Sequence, residues 1–296
     1  MNKSLILVFG ANGQVGTALK NLLSPSTTVF LDRSVADFSK PHTLKPLIRE
    51  YTATAVINAA AYTQVDLAEK EQVLAQVING EAPGILAEEC HSLKIPLVHY
   101  STDYVFSDRA GSEIPRKESD PVSPCNAYGF SKALGEKNIR QVGGDHIILR
   151  TSWVYDSKGK NFVTTMLRLG REKEKLSVVN DQWGAPTYAA DLATATWSIL
   201  EKVKAFNTFP SGIYNACNSG ETNWYEFATA VFEAAKLHGV KLKIKDILPV
   251  PSSEYPTPAV RPKNSRLDLN KIHETFGITL PPWRESLSRC VAELFN

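Results

Sequence analysis

Short, wholly apolar runs alternate with helix-length segments through the first half of the chain, and this alternation leaves few folds open. The runs are Leu5–Phe9, Thr28–Leu31, Ala55–Ile57, Ile95–Tyr100 and His146–Leu149. Each run after the first follows a stretch long enough for a helix, and Val15–Leu23 carries helical spacing. A strand that is apolar on both sides must be covered on both faces. Right-handed crossovers then put the helices on either side of a parallel, doubly wound sheet. The predicted class is α/β.

Beyond Trp153 the pattern loosens. Asn161–Glu174, Tyr188–Leu200 and Asn223–Leu237 read as helices, and Leu176–Val179 and Gly212–Ala216 as strands. Residues 249–264 carry five prolines, which predicts an extended or looped path. A last helix is expected from Pro282 to Phe295, with proline in its first turn. With 296 residues, 43% of them hydrophobic and 22% charged, the chain can bury a large core and a second, smaller one. A net charge of +2 and a pI near 8.2 are too mild for a nucleic-acid partner. The apolar stretch before Gly10 is too short for a leader or a membrane span. Cys90, Cys125, Cys217 and Cys290 form no CxxC pair and read as free thiols. The expected setting is cytoplasmic, with no membrane partner.

Gly10-Ala11-Asn12-Gly13-Gln14-Val15-Gly16 follows the first strand and opens the first helix. Glycines there let the backbone approach a pyrophosphate that rests on the helix N-terminus. The spacing is GxxGxxG rather than GxGxxG, so the Rossmann-type dinucleotide fingerprint is met in part. Asp32 stands at the end of the second strand, where an acid binds ribose hydroxyls. Arg33 beside it suits a 2′-phosphate instead. The two leave NADPH and NADH both open as cofactor. Ala59, Ala60 and Ala61 end the third strand with side chains small enough to admit a ribose or an adenine edge. Residues 1–153 and 188–217 are therefore expected to form an NAD(P)-binding domain, and 154–187 and 218–296 a smaller C-terminal substrate lobe.

Tyr128 and Lys132 lie one helical turn apart on one face. A phenol titrates near 10, too high for proton exchange at neutral pH, and a fixed cation nearby brings it down. Such a tyrosine serves as a general acid or base. Thr102 follows the run Ile95–Tyr100, which places its hydroxyl at the carboxyl edge of a strand, where doubly wound sheets bind ligands. It can donate there to a substrate carbonyl and orient it beside Tyr128.

The glycine pattern, Ser101-Thr102-Asp103-Tyr104-Val105-Phe106 and the Tyr128/Lys132 pair resemble the extended short-chain dehydrogenase/reductases that act on nucleotide sugars. Arg150-Thr151-Ser152-Trp153-Val154-Tyr155, Gln182-Trp183-Gly184-Ala185-Pro186-Thr187 and Arg261-Pro262-Lys263-Asn264-Ser265-Arg266-Leu267-Asp268 resemble, more narrowly, the dTDP-4-dehydrorhamnose reductase family within them. The resemblance runs essentially end to end. It implies an oxidoreductase that reduces the C4 carbonyl of dTDP-4-dehydro-L-rhamnose with NADPH or NADH, in polysaccharide precursor synthesis. Thr102, Tyr128 and Lys132 would be the catalytic set, with Lys132 also on the nicotinamide ribose. Asp37 and Phe38 would flank the adenine, and Thr63 would lie near the cofactor. Asp103, Tyr104 and Trp153 would contact the sugar, and Arg261 the diphosphate.

Dimers of that family can share a magnesium through glutamates. The matching positions here are Ala18, Ala190 and Glu293, so no such metal site is expected, and a homodimer is left open. A dehydratase or epimerase is the nearest rival, but Asp103 is followed by Tyr104 where related dehydratases carry a second acid. A non-catalytic NADP-binding subunit, like the regulatory subunit of eukaryotic methionine adenosyltransferase, is the alternative of another class.

Overall fold

The computed structural model describes residues 5–108 and 113–295. Five strands, β1 (Ile6–Phe9), β2 (Thr28–Leu31), β3 (Ala55–Asn58), β4 (Leu97–Thr102) and β5 (His146–Thr151), join a late strand, Gly212–Asn215, in one six-stranded sheet. Every pairing is parallel, in the order Gly212–Asn215, β5, β4, β3, β1, β2. Alternate residues feed opposite cores. Leu7, Phe9 and Val56 meet Leu44, Ile48, Leu86 and Ile139 on one face. Val8, Ile57 and Leu149 meet Leu19, Leu192 and Ile199 on the other. Both faces are covered, as the apolar runs demand.

β4 departs from its sequence-expected span in a way that matters. It starts at Leu97 and continues past the apolar run, with Ser101 paired to Arg150 and Thr102 to Thr151. Parallel pairing with β5, not hydrophobicity, carries the strand to Thr102 and sets that hydroxyl at its last residue.

The second lobe is built on three helices, Phe162–Glu172, Trp224–Leu237 and Trp283–Phe295. Val163, Phe227, Val231, Cys290 and Val291 make its core. Lys175–Val179 pairs in parallel with Asp246–Val250, so the proline-rich stretch begins extended, as a strand through Pro249 and Val250. Each of these two strands has only the other as a partner, so an edge is available where proline's missing N–H costs nothing. The helix Ala189–Lys202 goes back to the sheet, packing Ala189, Leu192 and Ala193 beneath it. Among the described residues no helix is long and apolar enough to cross a membrane.

Candidate active site

β1 leads to β2 on one side, and the chain returns to β3 on the other. The crevice at their carboxyl ends is the switch point where such sheets take ligands. Gly10 follows β1 with φ +83°, and a Cβ on it would fall 2.5 Å from the carbonyl carbon of Ala59. A Cβ on Gly16 would collide with the carbonyl oxygen of Gly10. Strand and helix can meet this closely only through glycine. Gly13 is the N-cap of the helix Gln14–Leu22, and no side chain caps that end. Its first amides are left for an anion. Gln14 donates to the Val154 carbonyl at 3.3 Å, and Val15 packs into the core beneath.

Just past β2, Asn12 donates to Asp32 at 3.1 Å. Hydrogen bonds from Ser34, side chain then backbone, hold the Asp32 carboxyl below its ordinary value. Ser39 does the same for Asp37. Arg33 is an exposed side chain, 3.7 Å from the Asp37 carboxylate. Ala60 and Ala61 are half-buried and Thr63 is exposed. Phe38 is buried, edge-on to Phe9 at 5.6 Å.

The helix Ala127–Val142 brings Tyr128 to Thr102. Asn126 caps it, accepting from the Gly129 amide at 2.8 Å, and donates to the Val260 carbonyl at 2.7 Å. A Cβ on Gly129 would collide with the Tyr104 carbonyl oxygen, so only glycine lets this helix press onto the 102–106 segment. The Tyr128 and Tyr104 rings meet edge to face at 5.6 Å. Burial pushes the Tyr128 phenol above its ordinary value, tempered by a hydrogen bond with Thr102 and reinforced by the nearby Asp103. Thr102 donates to Asp103 at 3.0 Å and accepts from the Tyr104 amide at 3.2 Å. Burial raises the Asp103 carboxyl from 3.8 to about 6.

Lys132 sits one turn on and is almost wholly buried. Its Nζ donates to the Tyr100 carbonyl at 2.6 Å and lies 3.2 Å from Nε2 of His99. Burial brings it down from 10.5 to about 8. The sequence expectation had Lys132 drawing the phenol down; the Lys132 ammonium is instead engaged with the Tyr100 carbonyl and His99, and burial raises the Tyr128 phenol.

Below the pair lies machinery that the sequence reading missed. Glu136 takes two hydrogen bonds from Arg150, at 2.8 and 2.6 Å, and a third from Ser101 at 2.6 Å, all of them buried. Arg150 also lies over the Phe106 ring at 4.8 Å. Asn79 ties Tyr62 to Ser131, and Asn58 reaches His99. Asn126, two residues before Tyr128, was a readable N-cap signal; the long-range partners had none.

The second lobe supplies the opposing wall. Trp153 adopts φ +49° and stacks on Trp224, ring centroids 3.8 Å apart. Gly184 lies under the indole, where a Cβ would come within 2.9 Å. A cleft of about 830 Å³ opens between the lobes, lined among others by Gln182, Trp224, Arg261 and Lys263. Arg261 is paired with Asp66 at 2.9 Å and hydrogen-bonded to the Tyr104 hydroxyl. Lys263 faces Asp181 at 3.2 Å. Asp66, Asp181 and Lys263 were not singled out from the sequence, for nothing local marks them. Ala18 is buried on the inner face of the helix Gln14–Leu22, Ala190 is half-buried, and Glu293 accepts from Ser157 at 3.0 Å. Among the described residues no three His, Cys, Asp or Glu side chains are grouped to hold a metal.

The family described as RmlD substrate binding domain matches residues 3–296. A dTDP-4-dehydrorhamnose reductase of Burkholderia thailandensis is 44% identical, over 98% of this chain and 99% of its own length. The spore coat polysaccharide biosynthesis protein SpsK of Bacillus subtilis is 40% identical, over 97% of each. The dTDP-4-dehydrorhamnose reductase of Bacillus anthracis, solved with NADP, superposes with a TM-score of 0.88 at 36% identity, over 98% of this chain and 99% of that one. The chain thus belongs to the RmlD substrate binding domain family, alongside the dTDP-4-dehydrorhamnose reductases.

Proposed function

We propose that the protein reduces the C4 carbonyl of dTDP-4-dehydro-L-rhamnose to dTDP-L-rhamnose with NADPH or NADH. The observation that carries it is the meeting of Tyr128 and Thr102 at the carboxyl end of β4, with Tyr104 packed between Tyr128 and Arg261 of the cleft wall. The relatives named above supply the sugar.

A nicotinamide dinucleotide fits the crevice, because Gly10 and Gly16 leave no room for a Cβ and the uncapped helix presents its amides. When bound it supplies the hydride that goes to C4. Gly10, Asn12, Gly13 and Gln14 would cradle its phosphates and Asp32 its adenosine ribose. Arg33, with Asp37 alongside, leaves room for a 2′-phosphate. The chain's own chemistry is proton delivery. Tyr128 gives its phenolic proton to the C4 oxygen as that oxygen gains charge, and burial keeps the proton in place until then. Thr102 turns its hydroxyl from Asp103 to the same oxygen and holds it in line. Arg261 exchanges part of its pairing with Asp66 for the substrate's diphosphate, a doubly anionic partner that suits its fork. The Trp153–Trp224 stack forms an apolar platform for the sugar ring.

We read the parts before 154 and around 188–217 as the cofactor domain, the rest as the substrate lobe, and the setting as the cytoplasm. The free thiols of Cys90, Cys125, Cys217 and Cys290 support that setting. Mixing the protein with dTDP-6-deoxy-4-keto-L-mannose and either reduced cofactor tests the reaction. Loss of nicotinamide absorbance with a dTDP-L-rhamnose product mass is expected. Reduction of other 4-keto nucleotide sugars with this one ignored would overturn the substrate. Tight NADP binding with no sugar reduced would favour a regulatory role.

A further inference from the structure

Asn126 is buried, and two bonds fix its amide. Its Oδ1 accepts from the Gly129 amide at 2.8 Å, which caps the helix Ala127–Val142, and its Nδ2 donates to the Val260 carbonyl at 2.7 Å. Turning the amide over would set oxygen against oxygen at Val260 and N–H against N–H at Gly129, so one orientation satisfies both. One side chain thus joins the start of the Tyr128 helix to the segment that carries Arg261, 134 positions away from Asn126 at Val260.

Residues 256–262 form neither helix nor strand, and positions 256, 258 and 262 are prolines with no N–H to give. The Val260 side chain is 64% exposed, so its carbonyl rather than its apolar group anchors that residue. The one-turn helix Val65–Ala68 makes the same connection a second time. Asp66 accepts from the Ala259 amide at 3.3 Å and from Arg261 at 2.9 Å, and Glu69 accepts from the Ala127 amide at 2.8 Å. Arg261 in turn reaches the Tyr104 hydroxyl, and the Tyr104 ring meets Tyr128 edge to face. A strap whose backbone is held by side chains keeps its course only while those side chains are in place.

We propose that Asn126 is a positioning residue that places Arg261 for the substrate's diphosphate by holding the Val260 carbonyl, a duty separate from its capping of the Tyr128 helix. The inference rests on the reading of Arg261 as the diphosphate's partner. The Val260 carbonyl lies in one planar peptide unit with the nitrogen and Cα of Arg261, so holding that oxygen sets where the arginine side chain starts. Asp66 and Tyr104 hold its other end. Fixed at root and tip, the guanidinium is in place before the anion arrives, and binding need not order a long, free side chain.

Asn126→Asp separates the two duties. A carboxylate still accepts from Gly129 and caps as well as asparagine, but it sets an oxygen against the Val260 carbonyl where a donor stood. The Cys125 thiol, 3.6 Å from that carbonyl, is too weak a donor to replace it. In the full chain at pH 8, dTDP binding by calorimetry and the KM for the keto sugar should both weaken about tenfold, the scale of one hydrogen bond. With cap and Tyr128 in place, kcat should change by less than about threefold. In an Arg261→Ala background the same substitution should weaken dTDP by less than about twofold, because its route is gone. Asn126→Ser caps but is too short to reach Val260; it should repeat the pattern, and it serves if the aspartate variant does not fold. Unmoved dTDP binding in a folded variant overturns the inference, as does an undiminished loss in the Arg261→Ala background or a fall in kcat as large as the rise in KM. If dTDP binding behaves as described while no keto sugar is reduced, the inference stands and the reductase reading falls.

Discussion

The two ends of the cofactor crevice are held in different ways. At the adenosine end the polar groups are accessible and satisfied by near neighbours in sequence: Asp32 by Ser34 and Asp37 by Ser39. At the catalytic end Lys132 and Glu136 are buried and satisfied across the fold, Lys132 by residues of β4 and Glu136 by Arg150 of β5, while the half-exposed Arg261 is satisfied by Asp66, 195 positions away. The near end can bend to accommodate a ligand, because water replaces any bond it gives up. The far end has no water to fall back on, so each partner must be present and in place. On the proposed reading, cofactor recognition belongs at the first end and proton transfer at the second.

That contrast can be broken most sharply at Tyr128. Tyr128→Phe is expected to lower kcat by roughly 10²–10⁴-fold, the usual loss with a positioned acid, while cofactor affinity holds. Retention of half the activity would remove the tyrosine from the mechanism.

Next in size is the buried pair beneath. Glu136→Ala leaves the Arg150 guanidinium, 1% exposed, without its carboxylate and should cost about 3–5 kcal/mol in urea unfolding. Replacing both residues with methionine should recover most of that loss, because two apolar groups of similar volume need no partner. If the double variant is no more stable than the single one, the pair acts through something other than charge.

Asp103 gives a smaller effect with a pH signature. Its carboxyl is raised from 3.8 to about 6, so the folded chain binds this proton more tightly than the unfolded one. Its contribution to stability therefore falls as pH rises from about 4 to about 6 and is level above that. Asp103→Asn should abolish this slope and raise stability at pH 7 by at most ~3 kcal/mol, at a cost in turnover. Denaturant midpoints measured at pH 4, 5, 6 and 7 decide it; an unchanged slope would place the titration elsewhere.

Arg33→Ala should do least. With the side chain 79% exposed, unfolding stability should change by no more than about 0.5 kcal/mol. NADPH should weaken roughly tenfold, about 1.4 kcal/mol, with NADH nearly untouched. Equal loss of both cofactors would make the arginine structural.

The sequence by itself determined the α/β class, the strand–glycine–helix turn and the Tyr128/Lys132 spacing, because each is a short-range pattern with one geometric meaning. Apolar runs read as buried strands wherever they fall, and i, i+4 residues share a helix face in any context. The tertiary structure decided the rest. Residues 99 and 132 are brought together by packing a helix on a sheet, and no spacing in the chain encodes that contact. The burial of Phe38 depends on Phe9, 29 positions earlier, lying edge-on to it. Pro249 read as extended or looped, and it lies in a strand because Val178 runs alongside. Desolvation, which sets the proton affinities of Asp103, Tyr128 and Lys132, depends on how many neighbours surround a group, and that number exists only once the chain has folded.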